Sequence, residues 1–142
     1  MSAGSELALD RAWTHRRFFE LLEGLGGLRV IHQSGASTFE ALCRFGPFEI
    51  QRGFMNAITG AYHWHLALDR FGFVRSVDGH HARSNRRVLF FELCPAQGEP
   101  PFCRIYLHRE RGAEFEGWVL AGFLEAHAGL GAGCVLARED AR

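Results

Sequence analysis

The spacing of hydrophobic positions changes twice along the chain. In the first part Phe18, Leu21, Leu22 and Leu25 fall at i, i+3, i+4 and i+7, one buried helical face, which predicts a helix from Leu7 to Leu25. Thr14 is placed to cap a second segment of it, and Gly24, Gly26 and Gly27 stop it. From Leu28 the period falls to two. Strands are predicted at Leu28–His32, Ser37–Phe45, Phe48–Arg52, Gly53–Thr59, Ala61–Asp69, Phe71–Val77, Arg87–Cys94 and Phe102–Arg109. Turn signals separate them at Gly46-Pro47, near Gly60, at Asp78-Gly79 and across Pro95 to Gly98. Phe115, Val119, Phe123 and Ala126 then share a stripe and predict a helix over Ala113–Ala128. The tail, residues 129–142, is rich in Gly and Ala, then charged, and is expected to fray.

A helix, a run of short consecutive strands and a second helix imply an α+β fold. The sheet is expected to be mostly antiparallel, with helices near the N- and C-terminal ends. The 142 residues, 47% of them hydrophobic, suit one domain spanning 1–142 with a real core.

Charge narrows the function classes. Sixteen basic and sixteen acidic residues balance, with no block of like charge, so the footprint of a nucleic-acid binder is missing. Every one of the sixteen basic residues is Arg. A Lys nucleophile or Schiff base is thereby excluded, and each fixed cation is a planar fork suited to carboxylate or phosphate. No secretory leader pattern opens the sequence, and no uninterrupted apolar run reaches the roughly 18 residues of a membrane span. The expectation is a cytoplasmic protein without a membrane partner. Cys43, Cys94, Cys103 and Cys134 are widely spaced and are expected to be free thiols, although Cys94 and Cys103 are candidates to face each other across a hairpin.

Residues 53 to 107 carry a resemblance. Phe54-Met55-Asn56, then Tyr62-His63-Trp64-His65-Leu66, Asp69, Arg87-Val88-Leu89-Phe90-Phe91-Glu92, Gly98 and Arg104-Ile105-Tyr106-Leu107 stand in an order and spacing that resembles the haem-utilisation superfamily. Upstream, Gly27 to Gln33 and Phe45-Gly46-Pro47-Phe48 resemble that group's opening strand and Gly-Pro-Phe turn. Two extra residues stand in the strand and turn from Phe91 to Gly98. The chain has the length of one half of the tandem HemS-like proteins and so resembles the single-half ChuX- and HutX-like carriers. The resemblance implies a curved sheet with haem in a cleft on it, and a homodimer that covers a sheet face or edge.

Haem requires an axial donor, an apolar slot and cations for two propionates. Strand alternation puts Tyr62, Trp64 and Leu66 on one face and His63, His65 and Ala67 on the other. His65 matches the family's sheet histidine and is the first candidate for the iron, with His63 beside it free to donate to a propionate or water. His15 is the second candidate. Thr14-His15-Arg16-Arg17-Phe18-Phe19 resembles an Asp-Thr-His-x-Phe-Phe stretch whose histidine ligates haem in HemS-like proteins, and position 15 lies on the inward helical face. The segment from this helix to the first strand is shorter here than in those proteins. His81 is a loop candidate. Arg83, Arg86 and Arg87 cluster beside it, with Arg75 just before, and suit propionates. Tyr62, Phe54, Met55, Trp64, Phe71 and Phe73 are candidates to wall the porphyrin. His32, His108 and His127 have no such support.

A haem carrier for uptake, storage or trafficking is the leading reading. The alternatives are a haem-degrading enzyme of the same fold, a non-haem metal site built on His63, His65 and a third His or Asp69, and a small-molecule-binding domain without haem. No nucleophile triad, P-loop or dinucleotide fingerprint is present.

Overall fold

In the computed structural model, which describes residues 12–137, the first regular element starts at Thr14. Its hydroxyl accepts a hydrogen bond from the Arg17 amide at 3.1 Å, satisfying one of the amides a helix start leaves open. Helix α1 (His15–Glu23) follows and buries His15, Phe18, Phe19 and Leu22. Residues 12–14 are not helical, so the helix is shorter than its pattern predicts; residues 7–11 lie outside the described part.

The described residues form nine strands: β1 (Gly27–Ser34), β2 (Ser37–Arg44), β3 (Glu49–Gln51), β4 (Phe54–Ile58), β5 (His63–Ala67), β6 (Phe73–His80), β7 (Arg87–Cys94), β8 (Cys103–Leu107) and β9 (Cys134–Val135). A single turn of 3₁₀ helix, Leu68–Arg70, follows β5, and helix α2 (Gly117–Leu130) follows β8. All the ladders are antiparallel, and the architecture is α+β. No helix among the described residues is long and apolar enough to cross a membrane.

The strands form two sheets. Six run in the order β2-β1-β8-β7-β6-β9, and β3-β4-β5 make a separate meander. The break between them falls at Gly46-Pro47. Gly46 has φ +119, and a Cβ there would lie 2.8 Å from Glu23 Cγ, so only glycine lets the chain turn away from α1.

Of the element boundaries that differ from the sequence reading, including α2, which runs over Gly117–Leu130 rather than Ala113–Ala128, two bear on the topology. Asp78-Gly79 is not a turn. Asp78 and Gly79 pair with Leu89 and Val88, and Arg87 clamps Asp78 with two hydrogen bonds of 2.8 and 2.7 Å, so the hairpin turns only across residues 81–86. The tail also contributes structure. Cys134 and Val135 pair with Val74 and Phe73 as the edge strand β9, reached through Gly133, which passes so close over the Phe73 ring that no side chain fits. Residues 138–142 of the tail lie outside the described part.

Both helices and the small meander pack on one face of the six-stranded sheet. Phe91, fully buried, is the centre: Phe18 of α1 meets it edge-on at 5.3 Å and Phe123 of α2 at 5.1 Å. Burial of each such ring is worth about 1.5–3 kcal/mol. The opposite face carries cross-strand rows instead. One row contains Val77, Phe90, Tyr106, Arg29 and Leu42, with Phe90 and Tyr106 stacked at 4.5 Å. In the next, Arg75 and Arg104 both donate to Glu92, at 3.0 and 2.9 Å. Register also settles the cysteine question. Cys103 pairs with Leu93, so Cys94 projects from the other face, and both are free. Burial pushes the Cys103 thiol up to about 12, which keeps it protonated and unreactive.

Candidate functional site

The meander β3-β4-β5 has two unlike faces because its strands alternate strictly. Met55, Ala57, Trp64 and Leu66 point inward. The Trp64 ring lies 5.7 Å from Phe19 and 4.8 Å from Phe45, and its indole N–H donates to His32 Nε2 at 2.8 Å. Burial lowers the pKa of His32, which keeps that nitrogen an acceptor. The indole thus ties the meander to β1.

The other face is open. Phe54, Asn56 and Ile58 of β4 stand opposite Ala67, His65 and His63 of β5. Phe54 is 43% and Ile58 59% exposed, an unusual display for large apolar side chains beside two solvent-facing histidines. Gln51, Arg52, Phe54, Asn56, Ile58 and His65 border a hollow of about 500 Å³. Arg52 is held there by the tight turn between β3 and β4: Arg52 and Gly53 both have positive φ, 54° and 78°, as a two-residue hairpin of the primed type requires.

The chemistry of His65 follows from its neighbour. Asn56 Nδ2 lies 3.3 Å from two backbone carbonyls, those of Glu49 and Phe54, so the amide nitrogen is committed to donating there. Asn56 Oδ1 therefore faces His65 Nδ1, at 2.6 Å. A carbonyl oxygen only accepts, so Nδ1 carries the hydrogen and the lone pair resides on Nε2. His65 is thus oriented and held in one tautomer by a neighbour, the arrangement that supports histidines ligating metals. His63 shares the face, its ring 6.2 Å away and perpendicular.

The remaining sequence candidates occupy other places. His15 is 4% exposed; its Nε2–H donates to the Phe71 carbonyl at 2.5 Å and its ring meets Phe71 edge-on at 5.5 Å. Tyr62 points inward beside Phe45, its hydroxyl donating to Arg44 O at 2.8 Å and accepting from Gly46 N at 3.0 Å, so it braces the turn between the sheets. Met55, Phe71 and Phe73 are buried core residues and Trp64 is locked beneath the meander, so of the proposed aromatic wall only Phe54 reaches the His65 face. His81, Arg83 and Arg86 lie on the β6–β7 turn, where the Arg83 amide donates to His81 Nδ1 at 3.3 Å. His81 and Arg86 border a second hollow, and no residue lines both hollows. Within one chain, then, His65 and those arginines do not meet at one site. Among the described residues no three His, Cys, Asp or Glu side chains converge on a point where a metal ion would sit.

Sequence reasoning missed Arg52, Ile58 and the role of Asn56. Arg52-Gly53 between two strand patterns was the available signal for the first. Nothing in the linear order pairs Asn56 with His65, nine residues on; only the hairpin register does.

No family model matches the chain, and no curated protein matches it. Solved structures do. A protein from Agrobacterium tumefaciens aligns with TM-score 0.68 and 19% identity over 80% of this chain, and this chain spans 65% of that one. ChuX, a haem-binding protein, aligns with TM-score 0.69 and 10% identity over 82% of this chain and 72% of its own. A protein from Erwinia carotovora aligns with TM-score 0.65 and 12% identity over 84% of this chain and 74% of its own. At these identities the likeness establishes a shared fold.

Proposed function

We propose that the protein binds haem on the open face of the β3-β4-β5 meander and acts as a carrier, with His65 as the axial donor. The observation that carries this reading is the Asn56–His65 pair, which leaves the Nε2 lone pair on an exposed apolar surface. The fold shared with a haem-binding protein supports it. Phe54 and Ile58 offer the porphyrin plane an apolar bed. Arg52, which borders the same hollow as His65, would hold one propionate, and His63 would donate to the other propionate or to water. When bound, haem supplies the iron that His65 ligates. His15 is the weaker candidate because its Nε2–H is committed to Phe71 and its ring is packed among phenylalanines. Haem held on so open a face would remain exposed to solvent, and we propose that a second copy of the chain covers it as a homodimer.

Titration of the protein with hemin tests the reading. A saturable Soret band is expected; His65→Ala shifts it and weakens binding at least tenfold, while His15→Ala, where it folds, keeps the wild-type spectrum. An unchanged spectrum in His65→Ala overturns the site, and absence of any saturable band overturns haem binding. Light scattering at tens of micromolar checks the dimer. Reductant and oxygen added to the haem complex are expected to leave the porphyrin intact; release of a linear tetrapyrrole would make the protein a degrading enzyme.

A further inference from the structure

The second hollow, at the far end of the six-stranded sheet, holds about 530 Å³, within the range of small-molecule sites. Five of the sixteen arginines line it: Arg29, Arg86, Arg87, Arg109 and Arg111. Two are matched, Arg87 by Asp78 and Arg29 by Glu40. The other three face one carboxylate in the lining, Glu110, which lies 3.5 Å from His108. A chain with no net charge therefore concentrates an excess of about two positive charges here.

The arginines are not equivalent. Arg109 is fixed, its Nη2 donating to Arg87 O at 2.7 Å and its guanidinium 4.2 Å over the Phe115 ring. Arg86 and Arg111 are exposed, and neither takes part in an ion pair among the described residues. Apolar surface adjoins these cations, from Val88, Leu107, Phe115 and the Tyr106 ring. Two unmatched forks call for a dianion rather than a monocarboxylate, and the adjoining apolar wall calls for an organic body.

We infer that this hollow is a binding site for a phosphomonoester with a compact apolar or aromatic body, gripped by Arg86 and Arg111 and braced by Arg109. The site is separate from the meander face, and the inference does not rest on haem binding.

Calorimetric titration of the whole chain with phenyl phosphate, inorganic phosphate and benzoate near neutral pH tests it. Phenyl phosphate is expected to bind saturably and more tightly than either of the others. Arg86→Ala and Arg111→Ala should each weaken it about tenfold, the loss of a charge-assisted contact. Arg70→Ala, an exposed arginine on the 3₁₀ turn, should leave it unchanged. Both variant sites are exposed, so the fold is expected to survive, with circular dichroism as the check. No saturable binding, equal loss in Arg70→Ala, or equal binding of inorganic phosphate overturns the inference. So does displacement of bound hemin by phenyl phosphate, which would make the hollow part of the haem site. A failed hemin titration alone leaves it standing.

Discussion

Two histidines, fifty residues apart, occupy opposite surroundings. His15 opens α1 inside the aromatic core, its Nε2 hydrogen given to a backbone carbonyl. His65 stands on an exposed strand face, its Nδ1 hydrogen given to an amide oxygen. Each ring is fixed by one neighbour, and the neighbours leave opposite nitrogens with the lone pair. In His15 the remaining lone pair is on Nδ1 within a packed cluster; in His65 it is on Nε2 on an open face. The same residue type is thus a structural donor in one place and an available ligand in the other. The deciding atoms are Phe71 O, on a residue far along the chain from His15, and Asn56 Oδ1, on the neighbouring strand of the His65 hairpin.

Replacing the two histidines should separate these roles most strongly. His15→Ala leaves the Phe71 carbonyl without its donor, about 1–3 kcal/mol, and opens a cavity among phenylalanines. A total loss of about 2–4 kcal/mol in urea unfolding is expected, against about 0.5 kcal/mol or less for His65→Ala. Equal losses would show that the exposed histidine is also structural. The next effect concerns the neighbour of His65. Asn56→Leu removes the oxygen that selects the tautomer and should weaken hemin binding about 10- to 100-fold, with Asn56→Asp restoring most of it. Full affinity in Asn56→Leu would show that the amide is incidental.

The smallest effect is a pH dependence at His32. Its folded pKa lies below its ordinary value of 6.5, so the unfolded chain binds the extra proton first. The contribution is full above about pH 6.5, the ordinary histidine value. It is lost as pH falls toward the folded pKa, because a protonated Nε2 cannot accept from Trp64. Thermal unfolding between neutral and mildly acidic pH should show this slope in the wild type and less of it in His32→Gln. An identical slope in the variant would assign the acid sensitivity to a group other than His32, though not to Asp78. Its carboxyl is held below the usual range by the hydrogen bonds from Arg87, so its share is lost only in more acidic solution.

Much of the fold was legible because its signals are local. The alternation from Tyr62 to Ala67 gave the correct two faces of β5, and Arg87–Cys94 is a strand with the boundaries its pattern implies. Thr14 caps a helix, as its hydroxyl before an apolar stripe suggests. The division into two sheets was not legible. It depends on α1 crowding Gly46, a contact between residues far apart in sequence. Asp78-Gly79 misled because the pair that usually makes a turn is here clamped across a ladder by Arg87. β9 escaped because two residues carry no periodicity. At the candidate site, the shared face of His63 and His65 was readable, whereas the separation of His65 from His81 and Arg86 was not, since it reflects which sheet each strand joins.

The six-stranded sheet is closed by β1 and β8, with Val30 paired to Ile105. This has a consequence for the order in which the chain acquires its structure. The meander is built from consecutive strands and closes only short loops, whereas the central ladder must wait until residues 103–107 are available. During synthesis, which proceeds from the N-terminal end, the histidine-bearing hairpin can therefore form while the sheet beneath it still lacks its middle strand. Closure of that long loop is the expected slow step of refolding, and a substitution at Ile105 should retard it more than one at Phe54.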